Sequence, residues 1–180
     1  GEVVHATTVA TDAILERKGA RTGLLTTEGF RDVLELRRMR IPLSYDLGWK
    51  KPEPLVDRAL RLPVRERLDA QGNVLTALDM SSVDAAIDEI VASGAEAVAV
   101  CFLHSYRNAS HERAAGERLR ARLPGAHVSL SSDVLPEMLE FERTSTTVVN
   151  AYVSPLISRY LNLLRGALAG QGVKAPILVM

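Results

Sequence analysis

Four short polar clusters carry the residue types that do chemistry, and the first three follow apolar runs. The first is His5-Ala6-Thr7-Thr8. Hydroxyls and free backbone N–H groups at a strand end bind a carbonyl, carboxylate or phosphate; the same threonines serve equally to cap the helix that follows. The second is Thr26-Thr27-Glu28-Gly29-Phe30-Arg31-Asp32, where Thr26 and Thr27 can meet a ligand and Arg31 can pair with its carboxylate. The other reading of that cluster is turn chemistry with an exposed ion pair. The third, His104-Ser105-Tyr106-Arg107-Asn108, offers His104 as a general acid or base. Its alternative is a histidine bonded to backbone, with Asn108 opening a turn. The fourth is the hydroxyl run Thr144-Ser145-Thr146-Thr147 behind Glu140 and Glu142, either a helix start facing a cleft or a cap with a solvated face.

Other chemistries lack their signatures. There is no Gly-x-Gly-x-x-Gly, no P-loop, no Cys-x-x-Cys, no His-Glu-x-x-His and no Gly-x-Ser-x-Gly. His111-Glu112 at a helix start is a weak metal signal. The single cysteine, Cys101, lies in the apolar run Ala97–Leu103 and reads as a buried strand thiol. Basic and acidic side chains number 22 each, so no electrostatic case exists for nucleic acid or an anionic membrane. Neighbouring opposite charges such as Glu66-Arg67 and Glu112-Arg113 read as solvated faces. No apolar run reaches the ~18 residues of a membrane helix, and a cytoplasmic protein is expected.

The elements that must position these clusters alternate. A short strand over 2–8 leads to a helix capped by Thr8 or Thr11, running to about Lys18 and stopping at Gly19. A strand over Arg21–Thr26 and a helix over Phe30–Arg38 follow. Residues 39–56, with Pro42, Pro52, Pro54, Gly48 and Trp49, read as irregular surface chain. Alternation from Leu60 to Leu68, the turn Asp69–Asn73 and Val74–Thr76 predict a hairpin. Ser81 or Ser82 caps a helix with the stripe Val83, Ala86, Ile87 and Ile90, ended by Gly94. Ala97–Leu103 is a strand buried on both faces. A helix to about Leu123, a strand over His127–Leu130, and a long helix from about Thr144 to Ala169, broken at Pro155, complete the pattern. Tyr152, Leu156, Tyr160, Leu163 and Leu164 are placed on one face of that helix. The final strand ends at Met180. This is an α/β fold with a mixed, largely parallel sheet and flanking helices. Gly1 is not a natural start, so a fragment of a longer protein is expected.

Several segments resemble the ATP-dependent hydantoinase A / 5-oxoprolinase family, in the family's order. They are His5–Asp32, Leu24–Arg38, Arg67–Gly72, Ala97–Asn108, Ser129–Glu137 and Glu140–Leu156. The resemblance implies an N-terminal-type domain over 1–142 and the start of the core domain over 143–180. It implies part of an actin/sugar-kinase/Hsp70-like (ribonuclease H-like) ATPase fold. It implies a longer enzyme that uses ATP and Mg2+ to activate the carbonyl of a cyclic amide: hydantoin, N-methylhydantoin or 5-oxoproline. A B-type subunit or domain is the implied partner. Relatives serve instead as subunits of acetone- or acetophenone-type carboxylases, and a non-catalytic domain docking the B-type subunit through 39–56 and Trp49 is the third reading. Thr7, Thr8, Thr26, Thr27 and Arg31 are then the substrate-side candidates, and His104 the catalytic one. Two positions depart from the family: Ala6 stands where Gly is usual and Asp12 where Asn is usual. The family's Asp-x-Gly-Gly-Thr phosphate loop is expected upstream of Gly1, so tight ATP binding by residues 1–180 alone is not expected.

Overall fold

The computed structural model describes residues 2–39, 45–173 and 175–179. Its elements are β1 Val3–His5, α1 Val9–Leu15, β2 Thr22–Thr27, α2 Val33–Leu36, β3 Arg61–Val64, β4 Arg67–Leu68, β5 Val74–Thr76, α3 Met80–Ser93, β6 Ala97–Cys101, α4 Ser110–Arg122, β7 His127–Leu130, α5 Ser131–Val134, α6 Glu140–Gly170 and β8 Ile177–Val179. Strands β3-β2-β6-β7 form one sheet in that order, all neighbours parallel. Helices cover both of its faces, which is why β2 and β6 read as continuous buried runs. Alternation sorts their side chains. Val98, Val100 and Phe102 pack with Val83, Ile87 and Ile90 of α3 and Ala115 and Leu119 of α4. Ala97, Ala99 and Cys101 pack with Val148 and Ala151 of α6 on the other face. The small residues on that side let α6 lie close to the sheet.

The α3 stripe is buried as predicted, and Gly94 ends the helix in the left-handed conformation at φ 70°. The cap is Asp79 and not Ser81 or Ser82: its carboxylate accepts from the Ser81 N–H at 2.9 Å. The predicted hairpin over 60–76 divides. β3 joins the edge of the parallel sheet, and only β4 and β5 pair antiparallel around the Asp69–Asn73 turn. α2 is a single turn, shorter than Phe30–Arg38. Residues 45–56 contain neither helix nor strand, as expected, while Pro42 lies outside the described residues.

Helix α6 begins at Glu140 and runs through Pro155 unbroken. The hydroxyl run is therefore inside the helix. Thr147 donates to the Arg143 carbonyl at 2.7 Å, and the Thr144 hydroxyl meets Cys101 Sγ at 3.0 Å. Buried partners override the weak helix propensity of threonine. Leu163 leaves the predicted face, being 75 % exposed. β1 pairs in parallel with β8 as a separate two-stranded sheet. No helix among the described residues is long and apolar enough to cross a membrane.

Candidate functional site

The carboxyl ends of parallel strands leave N–H groups and loops unpaired, and open α/β sheets place their ligands there. In this sheet that edge gathers Thr27, Glu66, the loop after Cys101, Ser131 and Ser132, with the first turn of α4 and Arg143 of α6 behind them. Glu66 and Glu112, which read as solvated in sequence, are 3 % and 0 % exposed. Burial of two carboxylates is costly unless each is fully hydrogen-bonded, and each is.

Glu66 follows β3. One of its oxygens accepts from the Thr27 hydroxyl and the other meets His111 Nδ1 at 2.7 Å. The Thr27 hydroxyl in turn accepts from the Leu103 N–H at 2.9 Å. The order hydroxyl–carboxylate–imidazole differs from that of an activated nucleophile, in which the imidazole touches the hydroxyl. With its donor and acceptor capacity committed and 1 % exposure, Thr27 positions the loop ends.

Glu112 lies one residue beyond His111. Its Oε1 accepts from the Phe102 N–H at 2.9 Å and the Ser131 hydroxyl at 2.6 Å, and its Oε2 from the Ser132 N–H at 2.8 Å. The Ser105 hydroxyl lies 3.0 Å from that of Ser131. Arg143, 1 % exposed, donates to the carbonyls of Phe102 at 2.8 Å and Glu137 at 3.0 Å. Its guanidinium also lies over the Tyr106 ring, 5.5 Å from the centroid. Cys101 is buried beneath this network. Burial pushes its thiol up, so it stays protonated and is no nucleophile.

His104 stands at the exit of β6 with φ 56°, a backbone state that a non-glycine residue adopts at a cost. Its carbonyl accepts from the N–H groups of Arg107 and Asn108, closing the turn. Its ring meets Tyr106 edge-on at 6.0 Å, and Nδ1 is buried without a partner. Asn108 opens α4 by accepting from the Ser110 N–H. Thr26 is buried at the end of β2, and β-strand alternation puts it on the α6 face. Arg31 donates to the Arg58 carbonyl at 2.7 Å, not to a carboxylate, and its Nε is buried without a partner. Asp32 pairs instead with Arg58, whose hydrogen bonds hold that carboxyl below its usual range. Beside this loop lies an open hollow of about 310 Å3 lined by Phe30, Val33, Leu36, Leu139 and Phe141, among others.

Thr7 and Thr8 stand elsewhere. The His5 ring bonds to the Tyr160 hydroxyl at 2.5 Å, whereas Thr144 marks the carboxyl edge through Cys101. From Thr144 to Tyr160 along α6 is about 24 Å at ~1.5 Å per residue. The structure therefore brings Thr26, Thr27 and His104 to one edge and leaves Thr7 and Thr8 with α1. The Thr7 hydroxyl accepts from the Val9 N–H, and that of Thr8 donates to Asp12, 2.8 Å away. Asp12 thus engages a candidate ligand residue. Among the described residues no three His, Cys, Asp or Glu side chains converge as a metal centre.

Sequence reasoning missed Glu66, His111, Glu112 and Arg143. The available signal was position: each carboxylate follows a strand or opens a helix at the edge where the loops converge.

The model of the hydantoinase/oxoprolinase N-terminal region matches residues 1–123. The crystal structure of ATP-dependent caprolactamase from Pseudomonas jessenii superimposes over 99 % of the chain with a TM-score of 0.93 at 37 % identity. A nucleotide-free acetone carboxylase structure covers 99 % of the chain with a TM-score of 0.87 at 26 % identity. The 5-oxoprolinase of Saccharomyces cerevisiae is 34 % identical over 188 residues, covering 91 % of the chain. The chain spans only part of these proteins: 26 %, 27 % and 14 % of their lengths. Its largely parallel α/β sheet is in keeping with the ribonuclease H-like ATPase fold that the resemblance implies.

Proposed function

The chain belongs to the hydantoinase/oxoprolinase N-terminal family, and from that premise we propose that it is part of a longer ATP-dependent amidohydrolase that opens a cyclic amide such as hydantoin, N-methylhydantoin or 5-oxoproline. The observation that carries this reading is the 0.93 TM-score to ATP-dependent caprolactamase over nearly the whole chain. An unstrained amide carbonyl is a poor electrophile. ATP with Mg2+, when bound, would supply a phosphoryl group that activates the carbonyl oxygen, so that water can add at the carbon, the ring C–N bond can break with the nitrogen taking up a proton, and a second water can release the phosphate to leave the carboxylate. The rest of the longer protein carries most of their contacts in this reading.

His104 and Thr26, at the carboxyl edge, and Arg31, which bonds to the Arg58 carbonyl before β3, are the residues we assign to the ring side. His104 is the proton carrier: its unpaired Nδ1 has the hydrogen-bonding capacity the task needs. Thr27 holds the edge in shape. Thr7 and Thr8 make a separate contact, since their neighbour His5 is tied to Tyr160, which lies about 24 Å along α6 from Thr144 at the carboxyl edge. The division into an N-terminal-type domain over 1–142 and a core domain beginning at 143 falls in the first turn of α6. We propose a B-type subunit or domain as partner, docking through 39–56 and the half-exposed Trp49, and a cytoplasmic setting.

The test is ATP hydrolysis by the full-length protein with hydantoin, N-methylhydantoin, 5-oxoproline and caprolactam in turn. Stimulation of ADP release by one of these rings, lowered at least tenfold in His104→Ala, is the expected result. The acetone carboxylase superposition favours one other reading, a ketone carboxylase subunit. ADP release that requires bicarbonate and a ketone, and no ring, would replace the first reading by the second.

A further inference from the structure

Arg143 grips both ends of the loop that carries His104. Two residues before His104, the Phe102 carbonyl accepts from Arg143 Nη2 at 2.8 Å. Two residues after it, the Tyr106 ring lies under the same guanidinium at 5.5 Å. Tyr106 then meets the His104 ring edge-on, 6.0 Å between centroids with planes at 65°. The loop between these holds has His104 at φ 56°, a state that persists only where its surroundings over-determine it. A buried guanidinium is an expensive way to hold a loop, since its charge has left water. Here it is 1 % exposed, spends its Nη donors on two carbonyls, and leaves Nε unpaired. Lysine has a single donor group and no planar face, so it reproduces neither the two-carbonyl grip nor the stacking on Tyr106 together.

We infer that Arg143 is a positioning residue for His104, acting through the Phe102 carbonyl and the Tyr106 ring. The inference deepens the reading of His104 given above and rests on it for its catalytic consequence, but the geometry is testable without turnover. In the full-length protein, selective 15N-histidine labelling reads the histidine rings, and the signals lost in His104→Gln and in His127→Gln assign those two. His127, at the opposite end of the sheet on the first residue of β7, serves as internal reference. In Arg143→Lys the His104 ring signals move while those of His127 stay. Tyr106→Leu moves them as well, and Tyr106→Phe, which keeps the ring, leaves them in place. Should Arg143→Lys fail to fold, the Tyr106 pair still tests the last link, the contact between the Tyr106 and His104 rings. Unmoved His104 signals in Arg143→Lys, or equal movement in Tyr106→Phe and Tyr106→Leu, overturn the inference. In the full-length protein, Arg143→Lys is expected to lower kcat about tenfold with little change in KM. Moved signals with full activity would uphold the positioning and remove His104 from the chemistry.

Discussion

Glu112 and Arg143 hold the two sides of one residue. The Phe102 N–H donates to the Glu112 carboxylate at 2.9 Å, and the Phe102 carbonyl accepts from Arg143 at 2.8 Å. Helices α4 and α6, on opposite faces of the sheet, are thereby joined through the residue that follows β6. Glu112→Gln keeps the volume but turns an N–H2 toward one of the N–H groups the carboxylate now accepts. The expected cost is about 2–3 kcal/mol, the worth of a buried charge-assisted bond. Glu112→Ala, which strands the Phe102 and Ser132 N–H groups, is expected to cost about 3–5 kcal/mol. Urea unfolding of both variants checks the values and their order; equal midpoints with the parent would show that water replaces the carboxylate.

The Thr27 hydroxyl is a donor to Glu66 and an acceptor for Leu103 at the same time. Thr27→Val is nearly isosteric and removes both bonds, leaving a buried N–H and a carboxylate oxygen unpaired. A loss of about 2–4 kcal/mol is expected, whereas Thr27→Ser, which keeps the hydroxyl, recovers most of it. Amide exchange at Leu103 gives a local reading: protection falls in Thr27→Val and returns in Thr27→Ser.

The parts of this fold that sequence disclosed are those set by local pattern. The unbroken apolar run at Ala97–Cys101 could only be a strand buried on both faces, and the Val83, Ala86, Ile87, Ile90 stripe with Gly94 behind it could only be a helix facing a core. The carboxylates were hidden because their burial is a tertiary fact. Glu66 lies between arginines in sequence, yet its partners Thr27 and His111 come from β2 and α4. The start of α6 was hidden for a related reason: threonine is a weak helix former, and only the Cys101 thiol and the Arg143 carbonyl make that run a helix interior. Thr7 and Thr26 look alike as strand-end threonines; the long span of α6 between their neighbourhoods does not appear in any local window.

Asp79 gives the cap of α3 a pH dependence. Hydrogen bonds from Ser81 and then Arg65 hold its carboxyl down from 3.8 to about 2. A group whose folded pKa lies below its unfolded value adds stability that is present above the unfolded value and is lost as pH falls through the folded one. The contribution is therefore complete above about pH 4 and disappears toward pH 2. Asp79→Asn removes the charge and keeps a capping oxygen. Its Tm is expected to lie below that of the parent at pH 7, with the gap closing as both are melted at successively lower pH between 4 and 2. A gap that stays constant over that range would assign the effect to something other than the carboxylate.

Gly19 marks a close approach that fixes where β2 begins relative to α6. A methyl group there would lie 2.1–2.5 Å from three atoms of the Tyr152 ring. The ring has little room to yield, because Tyr152 is buried and its carbonyl accepts from the Ala20 N–H at 2.9 Å, tying the neighbouring backbone in place. Gly19→Ala is therefore expected to cost about 1–3 kcal/mol by overpacking. The cause can be isolated with a second change. Tyr152→Leu removes the ring, and against that background Gly19→Ala should cost markedly less, giving a coupling of about 0.5–3 kcal/mol between neighbours. Denaturant unfolding of the two single variants and the double variant measures it. Costs that simply add would show that glycine is needed at position 19 for its backbone alone, and that Tyr152 has no part in the requirement.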